Sequence, residues 1–365
     1  MDHTIKQSEQ EMVLIIGFGK IGRIKSSLWK ELGFRVTIAD TNPAHEKEAL
    51  ILGYEFTDDF SCLETQLSIL DISTPAGTHF DVLKDALNQL QFLPETIIVE
   101  KPFASSQEEL ENFLALLKDP VYPRLADCLF INEQYYSSST LKRVYELLDN
   151  EHIESIAVDL SKNRITDTKE AGRFFDYTLG AFGIELPHAL AVLDVLGIDV
   201  ASLKNSVSVR YIESTDPLNQ AAFVSGEVQN SRILLSSHLG SFSVANDNEI
   251  VVENSLTRKI VIHTSTRLFD ITLDPHPSLA RFFAHIQVSS KDGAMLIDEV
   301  VFDDHLKAHL SALSQISPSK EKERSKLLAM KHHIKLLVKF SKDAEVKKVI
   351  MGGNIDKEFN YANLS

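Results

Sequence analysis

The segment Met12-Val13-Leu14-Ile15-Ile16-Gly17-Phe18-Gly19-Lys20-Ile21-Gly22 decides the fold of this chain. Its five leading apolar residues predict a buried strand, and three glycines follow at the spacing Gly-x-Gly-x-x-Gly. At this spacing the first glycine permits a tight turn, the second lets backbone approach a pyrophosphate, and the third lets helix and strand pack closely. A helix starting here presents free N–H groups and the positive end of its dipole. The segment therefore predicts a strand, a phosphate-binding turn and a helix.

The first third of the chain continues this alternation. Further apolar segments predict strands at residues 34–39, 67–72, 96–99 and 125–131. Helical patterns lie between them, with Ile21, Ile24, Leu28 and Leu32 on one stripe of the first helix, and further helices near residues 79–90 and 107–117. Strands that alternate with helices in this way form a parallel α/β sheet.

The pattern changes from about residue 152. Alternating polar and apolar residues at 207–211, 258–264 and 267–273 predict antiparallel strands with one covered face. One helix interrupts them at 185–196, and an amphipathic helix follows at 319–342. We therefore expect an α/β Rossmann domain that binds NAD at residues 1–131. An α+β domain with a largely antiparallel sheet follows at 132–365, and its C-terminal helix can pack back on the first domain.

Composition excludes several classes of function. The chain has 365 residues, a hydrophobic content of 44% and a net charge of −15, which argues against partners such as nucleic acids or anionic membranes. Two cysteines, Cys62 and Cys128, favour a reducing compartment over a disulfide framework. The N-terminus lacks the features of a signal peptide, and no apolar run reaches the length of a membrane span. We expect a cytoplasmic protein.

The predicted cofactor is NAD. Asp40 closes the second strand, where an acid binds both ribose hydroxyls of NAD and repels the 2′-phosphate of NADP. Lys20 and Arg23 keep NADP as the less favoured alternative. Ser73-Thr74-Pro75 closes the third strand at the same edge of the sheet, although a plain helix-capping turn explains it about equally well. The candidate cofactor-binding residues are Gly17, Gly19, Lys20, Ile21, Gly22, Asp40, Ser73, Thr74, Pro75, Glu100 and Lys101.

Glu100-Lys101-Pro102 closes the fourth strand and supplies a candidate catalytic residue. A lysine at the carboxyl end of a strand, beside a dinucleotide crevice, can hold a substrate hydroxyl during proton and hydride transfer. Pro102 biases Lys101 towards an extended backbone, and a bond between lysine and proline can adopt the cis form. Taken alone, these three residues read as an ordinary charged turn.

The second catalytic candidate is His188, which lies at the start of an apolar helix. Pro187 fits the first turn of that helix, and the helix dipole favours a neutral imidazole that can accept a proton. Glu185, three residues earlier, can orient the ring and stabilise its charge. The alternative is a structural histidine beside a favourable N-terminal glutamate.

In these segments the sequence resembles the family of glucose–fructose oxidoreductase, inositol dehydrogenase and MocA (Gfo/Idh/MocA). The resemblance rests on residues 16–23, on Ser73-Thr74-Pro75 with His79, on residues 100–103 and on residues 180–188. It implies that Lys101 and His188 flank the substrate carbon facing the nicotinamide, and that the open sheet serves oligomer contacts. Members of the family commonly carry an aspartate four residues before the histidine, where this chain has Ile184. Glu185 or Asp176 is then the candidate partner of His188.

Together these features predict an NAD-dependent dehydrogenase acting on a secondary alcohol of a sugar, cyclitol or activated sugar, in a homo-oligomer. The alternatives are a non-catalytic NAD-binding sensor and an imine reductase on the same fold. Substrate binding falls to Lys101, Arg173, Tyr177 and His188, with Asn163 and Arg164 as weaker candidates. No metal is predicted, because the pair His305 and His309 lacks a third ligand and reads as an exposed helix, as His332-His333 reads as solvated.

Overall fold

The computed structural model describes residues 10–60, 63, 66–169, 175–205, 207–214, 216–240, 256–315 and 318–349. The chain divides into two compact units. The first unit comprises residues up to Ala104 together with Glu108–Asn132 and Leu310–Leu327, and the second comprises Ser105–Gln107, Glu133–His309 and the chain from Leu328.

The first unit is built on a parallel sheet. Its strands are β1 (Met12–Ile16), β2 (Arg35–Ala39), β3 (Glu55–Phe56), β4 (Ile69–Ile72), β5 (Thr96–Glu100) and β6 (Leu129–Asn132). They lie in the order β3-β2-β1-β4-β5-β6, and all neighbours are parallel. Every residue of β1, β4, β5 and β6 is buried. The strand order reverses direction between β1 and β4, which is where such sheets bind dinucleotides.

The helices connecting these strands are α1 (Lys20–Glu31), α2 (Pro43–Ile51), α3 (His79–Gln89), α4 (Gln107–Leu116) and α5 (Leu125–Cys128). The helix α2 and the strand β3 were not predicted, because α2 buries only Ala49 and so carries almost no apolar periodicity. The prediction of strand at 125–128 is wrong, since these residues form α5 and the strand begins at Leu129.

The second unit contains a mixed, mostly antiparallel sheet. Its strands are β7 (Ile153–Lys162), β8 (Val207–Ser214), β9 (Gln220–Val228), β10 (Ser231–His238), β11 (Leu256–Thr264), β12 (Arg267–Thr272), β13 (Phe283–Ser290), β14 (Met295–Phe302) and β15 (Glu345–Val349). Their order is β14-β13-β12-β11-β7-β10-β9-β8-β15. Among the described strands of this second sheet, only the pairs β7–β10 and β8–β15 are parallel. The predicted fold class, a Rossmann sheet followed by a largely antiparallel open sheet, is confirmed.

The remaining helices are α6 (Ser139–Leu148), α7 (Ile165–Lys169), α8 (Ala181–Ile184), α9 (Leu186–Val195), α10 (His305–Ser314) and α11 (Pro318–Asp343). The prediction of a single helix before the C-terminal one missed α6, α7, α8 and α10. The helix α9 is buried on all sides from Leu186 to Leu193, so its first turn is held in a dry environment. No helix in the described part of the chain is both long and apolar enough to cross a membrane.

Candidate active site

The glycine turn between β1 and α1 has the geometry that its sequence predicts. Gly17 has a φ of +101°, and a Cβ atom there would lie 2.9 Å from the backbone of Ser73 and Thr74. A Cβ on Gly22 would lie 1.9 Å from the carbonyl oxygen of Gly17, so only glycine lets α1 start this close to the turn. Gly19 faces open space and caps α1 without a side-chain hydrogen bond. The first N–H groups of α1 therefore have room beside them for a phosphate group.

Asp40, directly after β2, forms a hydrogen bond with this turn. Its Oδ2 accepts hydrogen bonds from the Phe18 N–H at 2.6 Å and pairs with His45 at 2.9 Å, while Oδ1 accepts from the Asn42 N–H at 2.8 Å. Burial alone would raise the pKa of Asp40, but these hydrogen bonds outweigh it and hold the pKa below its ordinary value. Asp40 is therefore a charged carboxylate at neutral pH, beside the turn where the adenosine ribose of a dinucleotide lies in this fold.

A buried charged network lies behind the carboxyl ends of β4 and β5. The ammonium group of Lys25, on α1, contacts Asp71 Oδ1 at 2.5 Å, Glu100 Oε1 at 2.8 Å and Ser73 Oγ at 3.1 Å. Burial alone would lower the pKa of Lys25, but the two carboxylates raise it above its ordinary value. Asn132 also donates to Glu100. The predicted apolar stripe of α1 is thus shifted: its buried residues are Gly22, Lys25, Ser26 and Trp29.

This network changes the interpretation of two predicted cofactor residues. The Ser73 hydroxyl donates to Asp71 Oδ1 at 3.0 Å, and the Glu100 carboxylate binds Lys25 and Asn132, so both side chains fix the ends of their strands. Thr74 accepts a hydrogen bond from Thr78, and its carbonyl oxygen lies 2.9 Å from His79 Nε2. His79 is fully buried.

Lys101 follows the last residue of β5 and is half-buried. The peptide bond between Lys101 and Pro102 is cis. In the register of the sheet, Glu100 lies opposite Asn132 of β6, while the preceding Val99 lies opposite Ile131. The lysine therefore leaves the sheet at the same edge as the glycine turn and the Ser73-Thr74-Pro75 segment.

His188 lies in the first turn of α9, and its partner is a carboxylate from another segment. Its Nδ1 lies 2.7 Å from Glu133 Oε1 and 2.9 Å from Glu133 Oε2. Glu133 is completely buried and follows β6 directly. The ring of Tyr135 packs edge-on against the imidazole, with the ring centroids 4.9 Å apart.

The predicted pairing of His188 with Glu185 is wrong. The Glu185 carboxylate lies 3.4 Å from Arg164 and 3.0 Å from Arg258, so it forms ion pairs with these two guanidinium groups. Asp176, the other candidate, accepts hydrogen bonds from the Thr178 and Leu179 N–H groups and so fixes its own turn. Sequence reasoning missed Glu133 because 55 residues separate it from His188. The signal that was present in the sequence is an acid directly after β6, at the carboxyl edge of the parallel sheet.

The predicted substrate-binding residues are placed only in part. Tyr177 is 64% exposed, and its ring packs against Phe175. Arg164 binds Glu185, and Asn163 caps the start of α7 by accepting from the Ile165 N–H. Arg173 lies outside the described residues.

The histidines weighed as metal ligands lie in other contacts. His309 is buried 3.0 Å from Ser137 Oγ, and His305 stacks on Tyr135, so the interpretation of an exposed helix is wrong. His333 is buried 2.7 Å from Asp194, which corrects the expectation that it is solvated, while His332 is exposed. Within the described ranges, no cluster of three or more histidine, cysteine, aspartate or glutamate side chains is arranged to hold a metal ion.

The residues of the first unit fit a nicotinamide dinucleotide. The open space at Gly19, the uncapped start of α1 and the charged Asp40 are the parts that such a domain needs for a pyrophosphate and a ribose. The contact of Asp40 with the Phe18 N–H couples the ribose position to the phosphate turn.

Comparison with known proteins agrees with this fit. Residues 12–120 match the model of the Gfo/Idh/MocA oxidoreductase family, NAD-binding Rossmann fold. No curated protein sequence matches the chain.

Solved structures share the fold across both units. The UDP-N-acetylglucosamine 3-dehydrogenase of Acidithiobacillus ferrooxidans is 13% identical over 92% of this chain and 98% of its own, with a TM-score of 0.63. An inositol dehydrogenase homolog of Azotobacter vinelandii, complexed with NADH and myo-inositol, is 13% identical over 92% and 95%, with a TM-score of 0.61. An oxidoreductase of Agrobacterium radiobacter, in complex with NAD+, L-tartaric acid and magnesium, is 14% identical over 92% and 95%, with a TM-score of 0.61. Residues 12–120 therefore match the NAD-binding Rossmann domain of the Gfo/Idh/MocA oxidoreductase family, and the chain shares the fold of these solved oxidoreductases.

Proposed function

We propose that the protein is an NAD-dependent oxidoreductase that transfers hydride between the nicotinamide and a secondary alcohol or ketone of a sugar, cyclitol or activated sugar. The observation that carries the proposal is the buried pair of His188 and Glu133, which is the arrangement of a general base. The shared fold with a nucleotide-sugar dehydrogenase and an inositol dehydrogenase homolog supports this substrate class.

The proposed reaction uses two residues, His188 and Lys101. Bound NAD supplies the hydride acceptor. His188 accepts the hydroxyl proton of the substrate, and Lys101 hydrogen-bonds the same oxygen and stabilises its developing negative charge. In the direction of reduction His188 returns the proton to the carbonyl oxygen.

The proposal divides the chain by task. Residues 1–131 bind the cofactor, and Asp40 selects NAD over NADP because its negative charge repels a 2′-phosphate. Residues 132–365 select the substrate, with Arg173 and Tyr177 as the proposed contacts besides His188 and Lys101. They also carry the surface for a homo-oligomer, since Val300 and Phe302 of β14 are more than half exposed.

The proposed function is tested by incubating the full chain with NAD and a panel of sugars, cyclitols and nucleotide sugars while NADH absorbance is followed. We expect turnover with at least one polyhydroxylated secondary alcohol. Calorimetric titration with NAD runs in parallel. If NAD binds and none of the panel is oxidised, and the matching ketones are not reduced with NADH, the non-catalytic sensor replaces the enzyme as the better account.

A further inference from the structure

Glu133 is a buried carboxylate that sequence analysis did not assign to any role. It follows β6, the last strand of the parallel sheet, and its side chain has no exposed surface. Both of its oxygens lie within hydrogen-bonding distance of the same nitrogen, His188 Nδ1, at 2.7 and 2.9 Å. A carboxylate buried this completely is stable only where its charge has such a partner.

The pairing decides which nitrogen of His188 carries the proton. An ionised carboxylate only accepts hydrogen bonds, so the nitrogen that faces it must be the donor. The neutral ring is therefore the Nδ1–H tautomer, and its basic lone pair is on Nε2. When Nε2 accepts a proton, the Glu133 charge stabilises the resulting imidazolium.

Glu133 also fixes the segment that packs on the imidazole. Its Oε1 accepts a hydrogen bond from the Tyr135 N–H at 3.2 Å. The Tyr135 ring lies edge-on to His188 and stacks on His305 with its centroid 5.0 Å away. The Glu133 carboxylate thus holds both the His188 imidazole and the Tyr135 segment whose ring packs against it.

Other charged groups lie around this pair but are engaged elsewhere. Glu185 is neutralised by two guanidinium groups, and Asp194 of α9 binds Tyr136 and His333. Among the described residues, Asp159, Asp303 and His305 also lie near Tyr135 or these arginines.

From this geometry we infer that Glu133 is the positioning residue of the reaction, setting the tautomer, the orientation and the basicity of His188. This inference rests on the proposed function for its catalytic consequence. The tautomer itself is a property of the chain alone, so it can be tested without a substrate.

The first test is the nitrogen NMR spectrum of the full chain labelled with 15N-histidine. The resonances of His188 are assigned by their loss in H188Q. We expect the Nδ1–H tautomer at neutral pH in the wild type, and a redistribution towards Nε2–H in E133Q, because a glutamine amide can donate to Nδ1. A wild-type His188 that is protonated on Nε2 would overturn the inference, whether or not a substrate has been found.

The second test uses a substrate from the panel. E133Q is expected to lower kcat by about 10²- to 10⁴-fold, the range of a general base, and to shift the acid limb of the kcat/KM profile to lower pH. NAD affinity should be unchanged, and E133D should recover part of kcat. The control E227Q removes an exposed glutamate of the same unit and should leave all these values unchanged. An E133Q profile and kcat equal to those of the wild type would refute the role, while a panel without turnover would count against the proposed function alone.

Discussion

At the scale of the residue, a few charged side chains are fully buried. Lys25 has no exposed surface, yet it lies between the carboxylates of Asp71 and Glu100 and so connects α1 to the ends of β4 and β5. Isolated ions of this kind are expensive to bury, and the network is stable because every charge has a partner. It holds in place the strand ends that precede Ser73 and Lys101.

The variant K25M is expected to destabilise the fold by about 3–5 kcal/mol, because it leaves two buried carboxylates without their cation. Urea denaturation of the full chain measures this loss. K25M/E100Q should recover part of it, and the exposed control K84M should change stability by less than about 0.5 kcal/mol. A K25M midpoint equal to that of the wild type would show that the network does not support the fold.

Asp40 supports a prediction about cofactor choice. Since its hydrogen bonds hold the pKa of Asp40 below its ordinary value, the carboxylate is ionised at neutral pH, and the preference for NAD should be constant across the neutral range. In D40N the ratio of the NADP and NAD dissociation constants should fall by about tenfold, an electrostatic cost of about 1.4 kcal/mol. Fluorescence titration measures both constants. Using the ratio cancels any general damage to the turn, and an unchanged ratio would mean that Asp40 does not select the cofactor.

At the scale of the element, the first turns of α1 and α9 differ in exposure, and each suits its proposed role. The helix α1 begins without a side-chain cap, which leaves its N–H groups available to a ligand. The helix α9 begins with a proline in its first turn and is buried on all sides, which holds His188 still. The start of α1 is open to a ligand, and the start of α9 is buried around His188, the proposed base.

Variants of two glycines in the turn before α1 should separate an effect on NAD binding from an effect on folding. G19A places its Cβ in open space, so it should keep wild-type stability and weaken NAD binding by about tenfold or more, because the methyl group occupies the phosphate position. G22A forces a Cβ against the Gly17 carbonyl and should lower both stability and NAD affinity. Thermal unfolding and NAD titration on the two variants check the contrast. Equal NAD affinity in G19A and the wild type would show that no phosphate lies there.

The same elements show what the sequence could predict. The strands β1, β2 and β5 and the helices α3 and α9 were predictable, because apolar runs and helical periodicity depend only on neighbours in the chain. The glycine turn followed from its spacing. Glu133 and Lys25 were not predictable, since each acquires its partner through a contact that only the folded chain makes. In α1, Lys25 occupies a buried position where an apolar residue would be expected.

At the scale of the whole molecule, the second unit presents an open sheet that ends in β14. Val300 and Phe302 alternate along this strand and are 51% and 58% exposed, and their cross-strand neighbours are His285 and Phe283. Apolar side chains exposed in a row on a sheet are typical of a protein interface. The alternation of residues along β14 in the sequence does not by itself identify this surface.

We expect the double variant V300E/F302E to dissociate the proposed homo-oligomer, because it places two charges in an apolar contact. Light scattering after size exclusion measures the mass. L52E introduces the same charge at an exposed leucine of the first unit and should leave the mass unchanged. A wild-type protein that is already a monomer would contradict the oligomer, and a double variant of wild-type mass would place its interface elsewhere.

The central claim is that Lys101 and His188 act on one substrate oxygen, and its most direct measurement is the turnover of K101M and H188Q with their NAD affinities. H188Q should bind NAD as the wild type does, K101M should still bind it, and both should lose at least about 10²-fold in kcat/KM on the substrate found in the panel. The matched controls K84M and H332Q, both exposed, should keep wild-type turnover. Wild-type turnover in either K101M or H188Q would contradict the account.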